Sequence, residues 1–321
     1  MASVNAVTYA SMSDWLVAEV LDGNVITLLA ERNNLINHPA LWIGQSIDAR
    51  GSNITKVPHS SLPGYDLMTQ AADGATIGLT AVTDGSSTVT VNRFTKAYGY
   101  TDLAKMVLPS GQLDPAMLAV DAVVSGNSAV TNAICQLLDD FTLTGGPGSG
   151  VDLDVASLLA IVGACGVNNF AGPGMGVLHP QQWSDWIVDG GTSIGSASGG
   201  TQNYNPELAQ IQRLNGDGHV GQWAGVDWFK NSRVVNDGTD VKGAIITLGS
   251  ILIVRGEFTG VGLGDPNIVY LGSDPSRGLA GTIQLERVRD GFAGETAFVQ
   301  SAYFGVSAGI QAAIQVVSDA P

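Results

Sequence analysis

Residues 113–141 place the tightest limit on how this chain can fold. After Asp114-Pro115, the apolar residues Met117, Val120, Val124, Ala129, Val130, Ile134, Leu137, Leu138 and Phe141 recur every three or four positions. That is the spacing of one apolar stripe on a helix. An aspartate accepts hydrogen bonds from the free N–H groups of a first turn, and proline loses nothing at the first helical position. At 1.5 Å per residue the helix is about 40 Å long, enough to cross a small domain. Gly145-Gly146-Pro147 stops it. That signal outweighs Asp139-Asp140, because carboxylates are mildly unfavourable at a helix C-terminus. Gly126, in mid-helix, costs about 1 kcal/mol against alanine, so packing must hold the helix there.

The flanking segments read as pieces that need a partner. Ser13 caps a helix carrying Leu16, Val17, Val20, Leu21, Val25, Leu28 and Leu29, broken at Gly23-Asn24 and ended by Asn33-Asn34 and His38-Pro39. This arm is too small to form a core. Between Gly44 and Phe94 the pattern shortens to alternation. Asn53 to Pro58 is extended, Pro63-Gly64 bends, and Ile77, Leu79 and Ala81 lead to a hairpin turn at Asp84-Gly85 and a return through Val89 and Val91. A two-stranded arm with one apolar face is marginal alone, and another subunit is the simplest cover.

Downstream of Tyr98–Val107 and the long helix, Asp152 to Val167 predicts a second helix with Leu153, Ala156, Leu159, Ala160 and Gly163 on its buried face. Gly176 to Leu178 is a short strand ending at His179-Pro180, and Gln181 to Asp189 is a brief helix with Trp183, Trp186 and Ile187. Gly190 to Thr201 is a Gly/Ser loop. Val220 to Val235 alternates around Gly225 to Phe229, and Ala244 to Val254 reads as one buried strand. Thr282 to Arg289 turns at Asp290-Gly291 into Glu295 to Val306, and Ile310 to Val317 is a last strand. No repeat of 20 to 50 residues is present.

Composition then excludes function classes. A chain of 321 residues exceeds the usual single domain, so two subdomains or one domain with large excursions are expected. With 45% apolar residues it can bury a real core, while only 13% are charged, as fits a surface that meets other subunits. The formal charge of −15, with scattered Lys and Arg, argues against a dedicated nucleic-acid binder. Cys135 and Cys165 make neither a disulfide framework nor a metal spacing, and read as buried thiols in a reducing cytoplasm. Met1 to Ser13 carries no secretory signal. Ala244 to Val254, the longest apolar run, is about half a membrane span.

Weighed one by one, the chemical motifs favour no site. Gly191 to Gly195 places Ser193 at nucleophile-elbow spacing, but its flanks are a Gly/Ser loop where a strand and a helix are required. Gly216 to Gly221 matches dinucleotide-loop spacing, yet a strand-like segment follows where a helix N-terminus must receive the pyrophosphate. His38, His59, His179 and His219 lie far apart without metal-ligand spacing. Asp152 and Asp154 read as a helix N-terminus and not as a cation site. Asn53-Ile54-Thr55 is a glycosylation sequon, irrelevant without secretion. Trp183, Trp186, Trp223 and Trp228 read as core or interface aromatics and not as a sugar-stacking platform. No catalytic, cofactor-binding or metal residue is assigned, and no enzyme is expected.

The ordered set of elements resembles the major capsid proteins of tailed bacteriophages, with the Hong Kong 97-type fold. Residues 91–104 (VNRFTKAYGYTDLA) look like the return from an extended loop into a spine helix. Residues 178–183 (LHPQQW) look like a strand-to-helix step of an axial domain, and residues 225–232 (GVDWFKNS) like a later axial strand. The resemblance implies an α+β chain with an N-terminal arm at 1–44 and an extended β-hairpin loop at 45–97. It implies a peripheral domain at 98–149 and 260–321 with its spine helix at 115–141, and an axial α/β domain at 150–259.

It further implies a shell built from hexamers and pentamers of this chain around double-stranded DNA, assembled in the host cytoplasm and found in the virion. Arm and hairpin would reach over neighbouring copies. The acidic charge would let packaged DNA, bound only non-specifically, slide along the lumen. A portal, decoration proteins and a separate scaffolding protein are the expected partners, the last because no scaffold-like segment precedes the arm. No membrane is involved. Some members of the family cross-link a loop lysine to a neighbour's asparagine, and Lys56, the only lysine before Arg93, is the candidate. The alternatives are an encapsulin-like compartment shell, which would hold protein cargo, and a Gly-rich adhesin or receptor-binding protein, which would lack the long helix. A third is a hydrolase using Ser193.

Overall fold

The computed structural model describes residues 35, 38–44, 47–48, 52–61, 83–107, 115–168, 170, 174–187, 219–257, 268–272, 283–309 and 313–320. The expected Ser13 helix, the Ile77–Ala81 alternation, the Gly190–Thr201 loop and Ser193 lie outside these residues. In chain order come β1 (Leu41–Ile43), β2 (Ile47–Asp48), β3 (Ile54–Ser61), β4 (Thr83–Thr90), β5 (Asn92–Thr101), α1 (Asp102–Val107), α2 (Pro115–Leu137) and β6 (Leu143–Gly145). Then follow α3 (Val155–Val167), β7 (Gly174–Leu178), the helix α4 (180–187), β8 (His219–Trp223), β9 (Val226–Lys230) and β10 (Asp240–Ile246). The remaining strands are β11 (Ile251–Glu257), β12 (Ile268–Gly272), β13 (Ile283–Asp290), β14 (Glu295–Ala308) and β15 (Ile314–Asp319).

The strands form a seven-stranded sheet ordered β1-β11-β14-β13-β12, in which β2 also pairs with β11 and β5 with β14. A six-stranded sheet runs β6-β15-β10-β7-β9-β8, and β3 and β4 pair only with each other. Helix α2 ties the architecture together. Its first half packs on the seven-stranded sheet, with Leu118 against Tyr100, Leu285 and Phe298, and Ala122 against Ile283. Its second half enters the main core, where Val130, Ile134 and Cys135 meet Met175, Val177 and Phe229 from one sheet and Ile251, Ile253 and Phe304 from the other. Gly126 sits between the two halves. A Cβ there would lie 2.9 Å from Ile283 Cδ1, so the glycine allows close helix–sheet approach and the packing offsets its low propensity.

Four sequence expectations are corrected. The long helix does not run to Phe141: α2 ends at Leu137, Leu138–Asp140 tighten into a 3-10 turn, and Phe141 is extended at φ −74°, ψ 131°. The Gln315 side-chain amide donates to the Leu138 and Asp139 carbonyls at 3.2 and 3.1 Å, satisfying helix-end acceptors and stopping the α-turn.

Asp84-Gly85 is not a turn. Both residues lie in β4, paired with Ser60 and His59 of β3, and neither has the positive φ that a two-residue hairpin turn requires.

Ala244–Val254 is two strands in different sheets. Gly249 turns at φ +87°, Ser250 N donates to the Thr247 carbonyl, and Thr247 N donates to Ser250 Oγ, so the two hydroxyl residues close the turn.

Of the residues expected to be buried, Leu153 is, just before α3, but the helix itself buries Leu158 and Ile161 and leaves Ala156, Leu159, Ala160 and Gly163 exposed. It is apolar nearly all round, so period alone could not select a side.

Candidate functional surfaces

Among the described residues the candidate reactive groups do not converge. Gly221 lies in β8 beside a register shift, and the segment after the Gly216–Gly221 spacing is a strand, as expected, so no helix N-terminus is there to hold a pyrophosphate. His179 Nδ1 accepts from Gln181 N at 3.2 Å at the start of α4, and burial lowers its pKa from the ordinary value. His59 and His219 stand in β3 and β8. Asp154 caps α3, accepting from Ser157 N at 2.6 Å. Cys135 is buried, but Cys165 is only half-buried, a partial correction, and burial pushes its thiol up to about 11. Among the described residues no group of three His, Cys, Asp or Glu is arranged to hold a metal ion, and no helix is long and apolar enough to cross a membrane.

Nothing in the order of residues points to the His38–Asp227 pair. His38 is buried; its Nε2 lies 2.9 Å from Asp227 Oδ2, its Nδ1 accepts from Ala40 N at 3.1 Å, and its ring meets Phe229 edge-on. Both nitrogens are engaged, so the ring has no free site to take a proton from a nucleophile. The pair instead fastens the segment leading into β1, a strand of the seven-stranded sheet, to β9 of the six-stranded sheet. Partners separated by 189 positions leave no local pattern to read.

The four tryptophans form one aromatic cluster in the core under α3 and α4. Trp186 touches Trp183, Trp223 and Trp228 at centroid distances of 4.7, 5.0 and 5.5 Å, and Trp228 Nε1 donates to the Trp223 carbonyl. Trp183, Trp186 and Trp228 are buried, and the Trp228 N–H is spent inside the protein, which removes these three as a sugar platform.

Three surfaces lack cover within the described chain. The first is the β3–β4 ribbon. Its base is anchored where Val91 N donates to the Asn53 carbonyl and Asn53 Nδ2 donates to the Val91 carbonyl, and where Val89 and Val91 pack on Leu252, Val254 and Tyr303. Gly305 and Gly256 admit this crossing, since a Cβ on either would collide with Thr90 or with Tyr303 and Val91. Beyond the base, Ile54, Lys56, Pro58, Asp84, Gly85, Ser86 and Thr88 are exposed.

The second is the outward face of α3, with Leu159 and Val167. The third is one corner of the seven-stranded sheet, where Leu103, Met106, Val288 and Phe292 face solvent.

Charge is placed unevenly. Asp240 and Asp319 are opposite each other across β10 and β15, and burial, with Asp152 and Asp319 adding to it, raises the Asp185 carboxyl above its ordinary value. Lys242 compensates nearby, 3.0 Å from Asp139 and 3.4 Å from Asp237. This acidic end of the six-stranded sheet draws on chain positions from 139 to 319, which is why no acidic run announces it.

No protein-family model matches the chain, and no curated protein matches it in sequence. Solved structures do. The capsid of cyanophage P-SCSP1u matches over 99% of this chain and 97% of its own, at 12% identity and TM-score 0.54. The capsid protein of cyanophage Pam1 matches over 100% and 99%, at 11% identity and TM-score 0.55. The holo-SrpI encapsulin of Synechococcus elongatus matches over 98% and 95%, at 10% identity and TM-score 0.58. What is shared at such identities is the fold. The chain has the mixed helix-and-strand fold of these capsid and encapsulin subunits, the Hong Kong 97-type fold.

Proposed function

We propose that this chain is the major capsid protein of a tailed phage, self-assembling into the icosahedral shell around a double-stranded DNA genome. Its role is structural and not catalytic. The observation that carries the proposal is the β3–β4 ribbon, joined to the body at its base and exposed at Ile54, Lys56, Pro58, Asp84, Gly85, Ser86 and Thr88. Two strands alone are marginal, so the ribbon needs a neighbouring copy to cover it. The similarity in fold to phage capsids supports the same reading.

In this proposal residues 1–44 are the arm, 45–97 the extended loop, 98–149 and 260–321 the peripheral domain with α2 as spine, and 150–259 the axial domain. The strand pairings favour adjusting these bounds, because β11 pairs with β14 and β15 with β10. Hexamers and pentamers of the chain are the building units, with a portal, a scaffolding protein and decoration proteins as partners. The chain acts in the virion after assembly in the host cytoplasm. Lys56, exposed on β3, is the residue that would cross-link copies; a single monomer band from purified particles on a denaturing gel removes that role.

A second reading is a cellular compartment shell, favoured by the likeness to the encapsulin. Nuclease-protected contents of particles from the native source separate the two. A phage shell yields DNA of uniform genome length, and a compartment yields a defined enzyme and no DNA.

A further inference from the structure

The corner formed by α1 and the β13–β14 turn presents an aromatic side chain that its own chain cannot cover. Phe292 is 106% exposed at the turn apex, flanked by Gly291, Ala293 and Gly294. The turn is held firmly: Asp290 Oδ1 accepts from Phe292 N at 2.9 Å and Ala293 N at 3.3 Å, and Gly294 has φ +62°. Gly294 O accepts from Asp102 N at 2.8 Å, and Arg289 grips both Asp102 carboxylate oxygens at 3.0 Å, so α1 is clamped beside the turn. On α1, Leu103 and Met106 share one helical face and are 65% and 83% exposed. A rigid aromatic knob therefore stands next to an apolar platform.

We propose that this corner is a contact between copies of the chain, with Phe292 of one copy seated on Leu103 and Met106 of the next. This inference rests on the shell reading above. Charge argues for a second copy as the occupant. The chain as a whole repels itself at −15, but the sequence of this corner is balanced, with Lys105, Arg287 and Arg289 against Asp102, Asp290 and Glu295. Arg289 and Asp102 neutralise each other within one copy. Arg287 and Asp290 are both exposed and make no ion pair among the described residues, so each is open to the opposite charge on a neighbour that presents the same pair. Knob and platform stand side by side on one corner, so two copies exchange them reciprocally about a twofold axis or pass them head to tail around a ring, and the mixed contact is the same in both. A preorganised aromatic on an apolar seat, rimmed by charge, is the usual form of an interface hot spot.

The test is cysteine trapping in trans. Copies carrying Phe292→Cys and copies carrying Met106→Cys are co-expressed, particles are oxidised mildly, and the chains are run on a non-reducing gel. A covalent dimer is expected in the mixture and absent from either variant alone and from wild type. Particles that form without the mixed dimer overturn the proposal. A wild-type chain that never forms particles defeats the shell reading itself, which is a separate outcome. Independently, Phe292→Glu is expected to cut particle yield at least tenfold while the unassembled chain keeps its wild-type melting temperature; an unchanged yield overturns the contact.

Discussion

Gly176 lies beneath the Trp228 ring, and a Cβ there would run into the indole. Trp228 is fully buried among three other tryptophans and has nowhere to move. Gly176→Ala is therefore expected to cost about 1–3 kcal/mol by overpacking, read as a lower urea midpoint. Asp154 gives a prediction in pH. Hydrogen bonds from Ser157 hold its carboxyl below the ordinary value, so the cap adds stability above about pH 4 and loses it as pH falls through the folded-state value. Asp154→Ala should cost about 1 kcal/mol at pH 7 and almost nothing once the carboxyl is protonated, measured by calorimetric melts at both pH values. The Asp154 cap was legible because capping is local: the acceptor and the first turn are neighbours in sequence. The constraint on Gly176 was not, because its partner is 52 positions away and a glycine carries no trace of what lies over it.

Among elements, α4 matters more than its length suggests, because Gln182 on it joins two strands. Its side-chain nitrogen donates to the Val241 and Val316 carbonyls and to Ser318 Oγ, while its oxygen accepts from His179 N. Gln182→Leu keeps the volume but strands those buried groups. It should cost about 1–3 kcal/mol, seen as a lower urea midpoint with an unchanged slope. α2, α3, α4, β7 and the β13–β14 hairpin were readable as elements because each carries a local period or turn signal. The end of α2 was not, because Gln315 sets it from a distant strand. The division of residues 244–254 between two sheets was not: Thr247 and Ser250 look like interruptions in one apolar run until their hydrogen bonds show a turn. β1, β2 and β6 are two or three residues long and cannot display alternation. The buried side of α3 was misread because both sides are apolar, and only the tryptophan cluster decides which one is covered.

In the whole molecule, two sheets are joined by α2 and by the His38–Asp227 tie, and a ribbon leaves the body at Val89–Val91. Sequence order carried the overall fold, since hairpin, long helix, mixed segment and closing strands succeed one another among the described residues. The location of the acidic end and the exposed Phe292 corner required the strand pairings, which bring distant residues together. Sedimentation velocity of the purified 33.1 kDa chain, wild type beside a variant with the 55–89 ribbon replaced by a short Gly/Ser turn, tests whether the chain is built for closed assembly. The account predicts capsomers or megadalton shells for the wild type and smaller species for the variant. A wild-type chain that sediments as a lone monomer at micromolar concentration, with the variant indistinguishable from it, would contradict the account.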